Sequence, residues 1–399
     1  MLRSSPDSML TTQAAGGRLS LIGFYALYFG TVGIVLPFLP AYLESLALSV
    51  TQVGLLLSLT PLMALLSPHL WGHLADRTGR GGGVLSLLVL GALAGFSPLL
   101  FVDRFPALVA TFAAYAFFSS SITPLVDSLA LQHVARTGGS FAHLRLFGSI
   151  GFILSSTLFG LAVERVGRTT VLAPLTLFVA LAVWSLTLKE RNAPTETVHP
   201  LAGLQLLRNP DLRWFLAGTA LHWIACAPFN GTFAIHTIAL GLPPSVVGLS
   251  FGLGVAAEVA VMLLYPRVAE RLAPRHLLAI SFAVSALRWA GLSLATSPGL
   301  IVALSLIHGM TFGAFYVASV ACMARRVPPH LRASGQGLFA AATFGLGGLV
   351  GFASSGAGYD WLGGHRLFAV AGLVELVAAA LVLRISPEEP APGRASLGG

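Results

Sequence analysis

The sequence predicts an all-α polytopic membrane protein with twelve spans in two six-helix halves, and three observations lead there. Hydrophobic residues fill 55% of the 399 positions and charged residues only 10%, with a mean hydropathy of +0.83; a soluble domain carries about 25% charged residues to coat its surface. The apolar residues gather in runs of about 20, the length that crosses the hydrocarbon core as a helix. The second half of the chain repeats the pattern of the first. Together these exclude a soluble enzyme, a disordered chain and a disulfide-bonded secreted scaffold. The 44 Gly and 23 Pro follow no collagen-like period, and the two cysteines, Cys226 and Cys322, lie in apolar runs that imply no disulfide framework.

Residues 1–19 are polar, without the apolar core and cleavage site of a signal peptide, and read as a cytoplasmic tail. The first apolar run, 20–43, is therefore expected to be a retained helix. Runs at 50–72, 82–102, 106–133, 143–163 and 169–188 complete an N-terminal bundle over 20–188. The polar stretch KERNAPTETVHPLAGLQLLRNPD (189–211) reads as a cytoplasmic linker. Runs at 212–238, 246–266, 276–296, 299–323, 334–358 and 366–386 form a C-terminal bundle over 212–386, followed by a tail, 387–399. Most connections are short, so neighbouring helices run antiparallel.

Orientation follows from the cationic residues, because loops on the cytoplasmic side collect Lys and Arg. With the N-terminus inside, inner segments hold 17 of the 23 and outer loops only Arg104, Arg165, Arg168 and Arg366. Both termini are thus expected in the cytoplasm and the chain in the cell (inner) membrane. The net charge of +8 belongs to these loops rather than to a nucleic-acid surface. Arg145 and Arg288 are the two left within helices.

The segment GLLLSLTPLMALLSPHLWGHLADRTG begins at Gly54 and GLSFGLGVAAEVAVMLLYPRVAERLA at Gly248, an offset of 194 positions that also pairs Ala75 with Ala269, Asp76 with Glu270 and Arg77 with Arg271. Half-length repeats are characteristic of proteins that rock one half against the other around a midplane site. In WGHLADRTGR (71–80), Gly72 and Gly79 permit close approach and left-handed backbone, Asp76 can accept hydrogen bonds from a helix N-terminus, and Arg77 and Arg80 stay at the inner surface. This segment resembles the signature loop of the major facilitator superfamily. The twelve spans and the degraded second copy YPRVAERLAPR (265–275) extend the resemblance over nearly the whole chain. It implies the major facilitator fold, with Gly72, Asp76, Arg77, Arg80, Glu270 and Arg271 as gating residues.

Ionisable groups at bilayer depth are costly and usually face a cavity or a partner. At 1.5 Å per residue, Glu258, Arg288 and His308 each lie roughly 14–18 Å from the surface where their span begins, near the midplane. An acid, a permanent cation and an imidazole at one depth can form a proton-coupling network, with Arg288 holding Glu258 ionised; a structural ion-pair cluster is the alternative. Hydropathy alone puts Asp127 and Arg145 near the cytoplasmic end. The hairpin VDSLALQHVARTGGSFAHLRLFGSIGF (126–152), however, resembles that of the lactose permease group, which implies substrate contact at Asp127 and Arg145. ALRWAGLSLATSPGLIVALSLIHGMTFGAFY (286–316) resembles the phenylpropionate permease branch and places its Arg and His at Arg288 and His308. Thr311 stands where lactose permease carries its coupling carboxylate, and Glu258, within AAEVAVML, is the nearest replacement.

Tyr25, Tyr28 and Asn230 offer hydrogen bonds and Trp223 an aromatic wall for a substrate, with helix packing as the plain alternative. His222 either faces the cavity or is bonded locally. Glu375 reads as structural, or protonated and lipid-facing, outside the cavity. Gly148, Gly151, Gly347 and Gly351 permit close helix packing. No HExxH or GxxxxGK[ST] motif is present, so neither enzyme chemistry nor ATP-driven transport is expected, and no metal or cofactor. The resemblance implies a monomeric secondary transporter, a proton symporter importing a small organic solute such as an aromatic carboxylate, its partners being substrate, protons and the lipid bilayer. A sugar or nucleoside symporter is the alternative. Span five lacks the Gly- and Pro-rich run of many drug exporters, which weighs against efflux.

Overall fold

The computed structural model describes residues 6–188, 202–269 and 272–387, and among these every regular element is helical. The spans are α1 (Pro6–Ser45), α2 (Val50–Thr78), α3 (Gly81–Phe96, with a 3-10 turn Ser97–Leu100), α4 (Phe105–Ser119 and, past a break, Ile122–Thr137), α5 (Phe141–Ala162) and α6 (Thr169–Ser185). They continue as α7 (Pro210–Gly231 and Phe233–Ala239), α8 (Pro244–Ala269), α9 (Pro274–Leu292), α10 (Pro298–Ser305, Gly309–Ala314 and Phe315–Arg326), α11 (Arg332–Ala340, Ala341–Gly347 and Gly348–Leu362) and α12 (Gly364–Val382). Each of the twelve apolar runs falls on one of these. Among the described residues nine spans are long and apolar enough to cross a bilayer by themselves. The others fall short because α6 is 17 residues long, α7 carries His222 and Asn230, and α9 carries Arg288. Leucines such as Leu90, Leu154, Leu263 and Leu373 are exposed on the outside of the bundle, as a lipid-facing belt requires. The chain is an integral membrane protein.

Two boundaries differ from the sequence reading. Helix α1 begins at Pro6, well inside the segment read as a tail to residue 19, because nothing between Pro6 and Gly16 stops a helix. A 3-10 turn, Ala202–Arg208, and then Pro210 at the first turn of α7 occupy the last part of the presumed linker.

Local chemistry sets the helix ends. Ser49 caps α2 by accepting from the Gln52 N–H at 3.2 Å while the Gln52 side chain accepts from the Ser49 N–H at 3.0 Å, a reciprocal capping box. Gly79 ends the same helix with φ 62°, a conformation that only glycine adopts cheaply. The segments Gly309–Ala314 and Ala341–Gly347 are π-helical, each a widened turn inside a span.

The two halves pack by one scheme. Helix α1 lies against α5 and α6, α3 against α4 and α6, and α2 against α4; six spans later α7 lies against α11 and α12, α9 against α10 and α12, and α8 against α10. Small residues make the contacts, as they must where lipid supplies no hydrophobic drive between helices. Gly151 abuts the backbone of Ala26, and its counterpart Gly351 abuts Ile224 and Ala227. Between the halves the pairs are α2 with α11 and α5 with α8, again related by six spans.

These cross-pairs close tightly at the end of the bundle opposite both termini. A Cβ on Gly54 would fall 2.9 Å from Gly356 Cα, and one on Gly160 would fall 2.9 Å from Gly248 Cα, so backbone meets backbone at both seams. Asp360 of α11 adds a latch across the first. Its carboxylate accepts from the Val50 N–H (3.2 Å), the Thr51 N–H (2.7 Å) and the Thr51 hydroxyl (2.6 Å) at the start of α2. Gly356→Val should wedge this seam open at a cost of about 1–3 kcal/mol. Spin labels on the α1–α2 and α11–α12 connections are then expected to move apart; an unchanged distance distribution would show that the seam is not tight.

Candidate functional site

Between the halves lies a cavity of about 270 Å³, lined by Phe29 and Leu36 of α1, Arg145 and Ser149 of α5, Trp223, Cys226, Phe229 and Asn230 of α7, Glu258 of α8, Arg288 and Trp289 of α9, and His308, Thr311 and Phe312 of α10. Arg145, Glu258, Arg288 and His308, four groups from four helices, thus meet at one space.

Each is seated by its surroundings. The Arg145 guanidinium stands 3.8 Å over the Phe29 ring and 5.8 Å from the Tyr25 ring. Gly148 leaves the room for it, since a Cβ there would come within 2.8 Å of both Arg145 Nη1 and Phe29 Cδ2. Arg288 is fully buried, its guanidinium 4.2 Å from the Phe229 ring and 4.6 Å from the Trp289 ring. Stacking of this kind offsets part of the cost of burying a cation. Gly309 and Gly313 bring the α10 backbone against Ala257 and Glu258 of α8, which puts His308 beside Glu258.

The coupling trio is a chain rather than the direct Arg288–Glu258 pair that the sequence suggested. Arg288 Nη1 donates to His308 Nδ1 at 3.1 Å, and His308 Nε2 faces Glu258 Oε2 at 3.9 Å. A guanidinium has only donors, so a bare Nδ1 receives it and the neutral imidazole carries its proton on Nε2, the side facing Glu258. Arg288 Nε and Nη2, both buried, have no hydrogen-bond partner among the described residues. The Glu258 carboxylate and the Arg288 cation are therefore linked through one imidazole, with donor capacity left over for an anion.

Other candidates sit elsewhere. Asp127 accepts from the Tyr25 hydroxyl at 2.6 Å, and neither lines this cavity. Tyr28, Trp223 and Asn230 line a second cavity of about 390 Å³, which shares Val32, Leu36, Trp223 and Asn230 with the first. Its walls add hydroxyls from Thr60, Tyr115, Ser119, Ser120 and Thr123. No motif flagged these, since Ser and Thr in apolar spans are common. Asp76 is half-buried, and Arg77 and Arg80 are exposed at the end that carries the termini. Glu270 and Arg271 lie outside the described residues.

Glu375 corrects the sequence reading in one respect. It does not face lipid: it is fully buried and bonded to His222 Nδ1 (2.8 Å) and Trp289 Nε1 (3.0 Å). His222 in turn is bonded and does not line the cavity. The donor atoms of His222, Cys226 and Glu375 lie within 4.8 Å of one another, but His222 and Glu375 already satisfy each other, so the geometry is that of a closed polar cluster.

Comparison with known proteins is consistent with this arrangement. Residues 18–370 match the model of the MFS_1 like family. The chain belongs to that family. It is a transporter of the major facilitator fold and not an enzyme. The probable 3-phenylpropionic acid transporter of Escherichia coli (strain K12) is 29% identical, the match covering 93% of this transporter and 98% of the relative. The maltose permease of Geobacillus stearothermophilus is 28% identical, over 81% and 83%. The crystal structure of the nucleoside transporter NupG superposes with a TM-score of 0.82 at 18% identity, over 93% and 99%, a likeness of fold. The transporter moves small solutes.

Proposed function

We propose that this transporter is a proton-coupled symporter that imports a small organic anion, an aromatic carboxylate in particular, by alternating access. One observation carries the reading: two arginines from opposite halves, the half-buried Arg145 and the buried Arg288, line the same space as a carboxyl–imidazole pair, within walls built from Phe29, Trp223, Phe229 and Phe312. Arg145 and Arg288 clamp the carboxylate of the substrate, whose ring stacks on the aromatic wall. Glu258 accepts the proton and, once neutral, releases His308 and Arg288 to the substrate. Rocking about the glycine seams then exposes the cavity to the other side, with no cofactor beyond the proton gradient. The reading takes the transporter to be a monomer in the cell's inner membrane with both termini in the cytoplasm, where the cationic loops lie, and Gly72, Asp76, Arg77, Arg80, Glu270 and Arg271 to gate that side.

Uptake of 3-phenylpropionate into proteoliposomes should rise when a pH gradient is imposed, acid outside, and fall to exchange level when an ionophore collapses it. Uptake indifferent to the gradient would defeat symport.

A second reading rests on the hydroxyl-lined cavity, where Asn230, Tyr28, Ser120 and Thr123 suit a sugar or nucleoside. Thermal stabilisation by carboxylates but not by maltose or nucleosides favours the first reading, and the reverse pattern favours the second.

A further inference from the structure

His222 of α7 and Glu375 of α12 are both fully enclosed, and the hydrogen bonds around them leave little freedom in where protons can sit. His222 Nε2 lies 3.0 Å from the Thr311 carbonyl, which can only accept, so Nε2 carries a proton. Glu375 Oε1 accepts from Trp289 Nε1 at 3.0 Å and from the Cys226 thiol at 4.0 Å. The 2.8 Å contact between His222 Nδ1 and Glu375 Oε2 then holds a single proton, on one side or the other. With the proton on nitrogen the pair is an imidazolium and a carboxylate; with it on oxygen both are neutral. Phe282 and Phe315 flank the imidazole at centroid distances of 4.4 Å and keep water out.

Every polar contact of the pair leads to the cavity wall. Trp289 follows Arg288 in α9 and packs under its guanidinium, Thr311 follows His308 by three residues in α10, and Cys226 lines the cavity itself. The charged or titratable groups facing the pair are Arg288 and His308 across α9 and α10 and Cys226 on α7. Arg288 brings a permanent charge into this space with two nitrogens unpartnered among the described residues. Its counter-charge must come from the cavity side or from Glu375 behind it.

We propose that the His222–Glu375 pair is a positioning switch that balances Arg288 when the cavity holds no anion. In that state the proton rests on Nδ1 and the Glu375 carboxylate faces the cationic side. When a substrate carboxylate reaches Arg288, the Nδ1–H bond breaks and the Oε2–H bond forms. The proton crosses one hydrogen bond, nothing enters or leaves, and the pair becomes neutral. Binding is thereby transmitted through Trp289 and Thr311 to α7 and α12, helices that lie behind the cavity. The inference rests on the anionic-substrate reading.

The test is an infrared difference spectrum of the full-length protein in lipid membranes, with and without 3-phenylpropionate. In Glu258→Gln, where Glu258 cannot contribute, the carbonyl stretch of a protonated carboxylic acid should appear on binding, and it should be absent when Glu375→Gln is added to that variant. Nitrogen-15 labelling of histidine supplies a second readout that needs no variant: Nδ1 of His222 should change from protonated to bare on binding. Glu375→Gln keeps the shape, and its amide donates to Nδ1, locking the neutral form. Without the competing carboxylate it should bind the anion roughly three- to tenfold more tightly, the scale of one removed charge at an effective dielectric near 20. Saturating binding with neither signal, or a carbonyl band that survives in the Glu258→Gln, Glu375→Gln double variant, overturns the switch alone. If no carboxylate stabilises the protein, the anionic-substrate reading fails and the switch with it.

Discussion

Glu258→Gln should abolish concentrative uptake while leaving exchange of substrate across the membrane intact. Glutamine keeps the volume and can still face His308, so the cavity and its two arginines persist, but the side chain no longer takes up and releases a proton. In the proposed cycle that proton is the link to the gradient. One proton moving through a driving force equivalent to 100 mV supplies about 2.3 kcal/mol, enough for a roughly 50-fold concentration ratio. The variant is expected to equilibrate substrate and accumulate none of it, while exchange of labelled for unlabelled substrate continues. Accumulation at the normal ratio would show that another group carries the proton.

Arg145→Lys should weaken binding of an aromatic carboxylate by roughly 30-fold, about 2 kcal/mol, the scale of a lost charge-assisted hydrogen bond. The charge is retained, so a purely electrostatic role predicts a small effect. What lysine loses is the planar fork that grips both oxygens of a carboxylate and the flat face that stacks 3.8 Å over Phe29. Gly148, which leaves space for that stacking, has no function for an ammonium group. Ligand-induced stabilisation measured against concentration checks this, and unchanged affinity would remove Arg145 from the binding site.

The architecture was legible in the sequence because a bilayer allows so few solutions. A run of about 20 apolar residues with short polar joints has to be a helix, and each of the twelve runs is one. The buried charges were legible for the same reason: Glu258, Arg288 and His308 had no business in apolar spans unless they shared a cavity, and they share one. Depth along a helix can be counted, but direction around it cannot be read from one span. So the sequence could not tell that His308 stands between Arg288 and Glu258, nor that Asp127 turns to Tyr25 instead of the cavity wall. The lipid-facing alternative for Glu375 failed by the same blindness, while its structural one did not. Its partners His222 and Trp289 are 153 and 86 positions away, and only packing brings them together. Asp360, just beyond the run ending at 358, carried no signal in the sequence, although its carboxylate bonds α11 to the start of α2.

The glycine seams have a consequence for economy in a charged membrane. Where Gly54 meets Gly356 and Gly160 meets Gly248, main chain is pressed against main chain, so at those points the closure does not depend on a side-chain rotamer. Protons leak along files of water molecules, and any leak would dissipate the potential that the cell spends energy to maintain. A closure made of flexible side chains would breathe on nanosecond timescales; one made of backbone opens only when whole helices separate. Insulation and motion are thus assigned to the same surface.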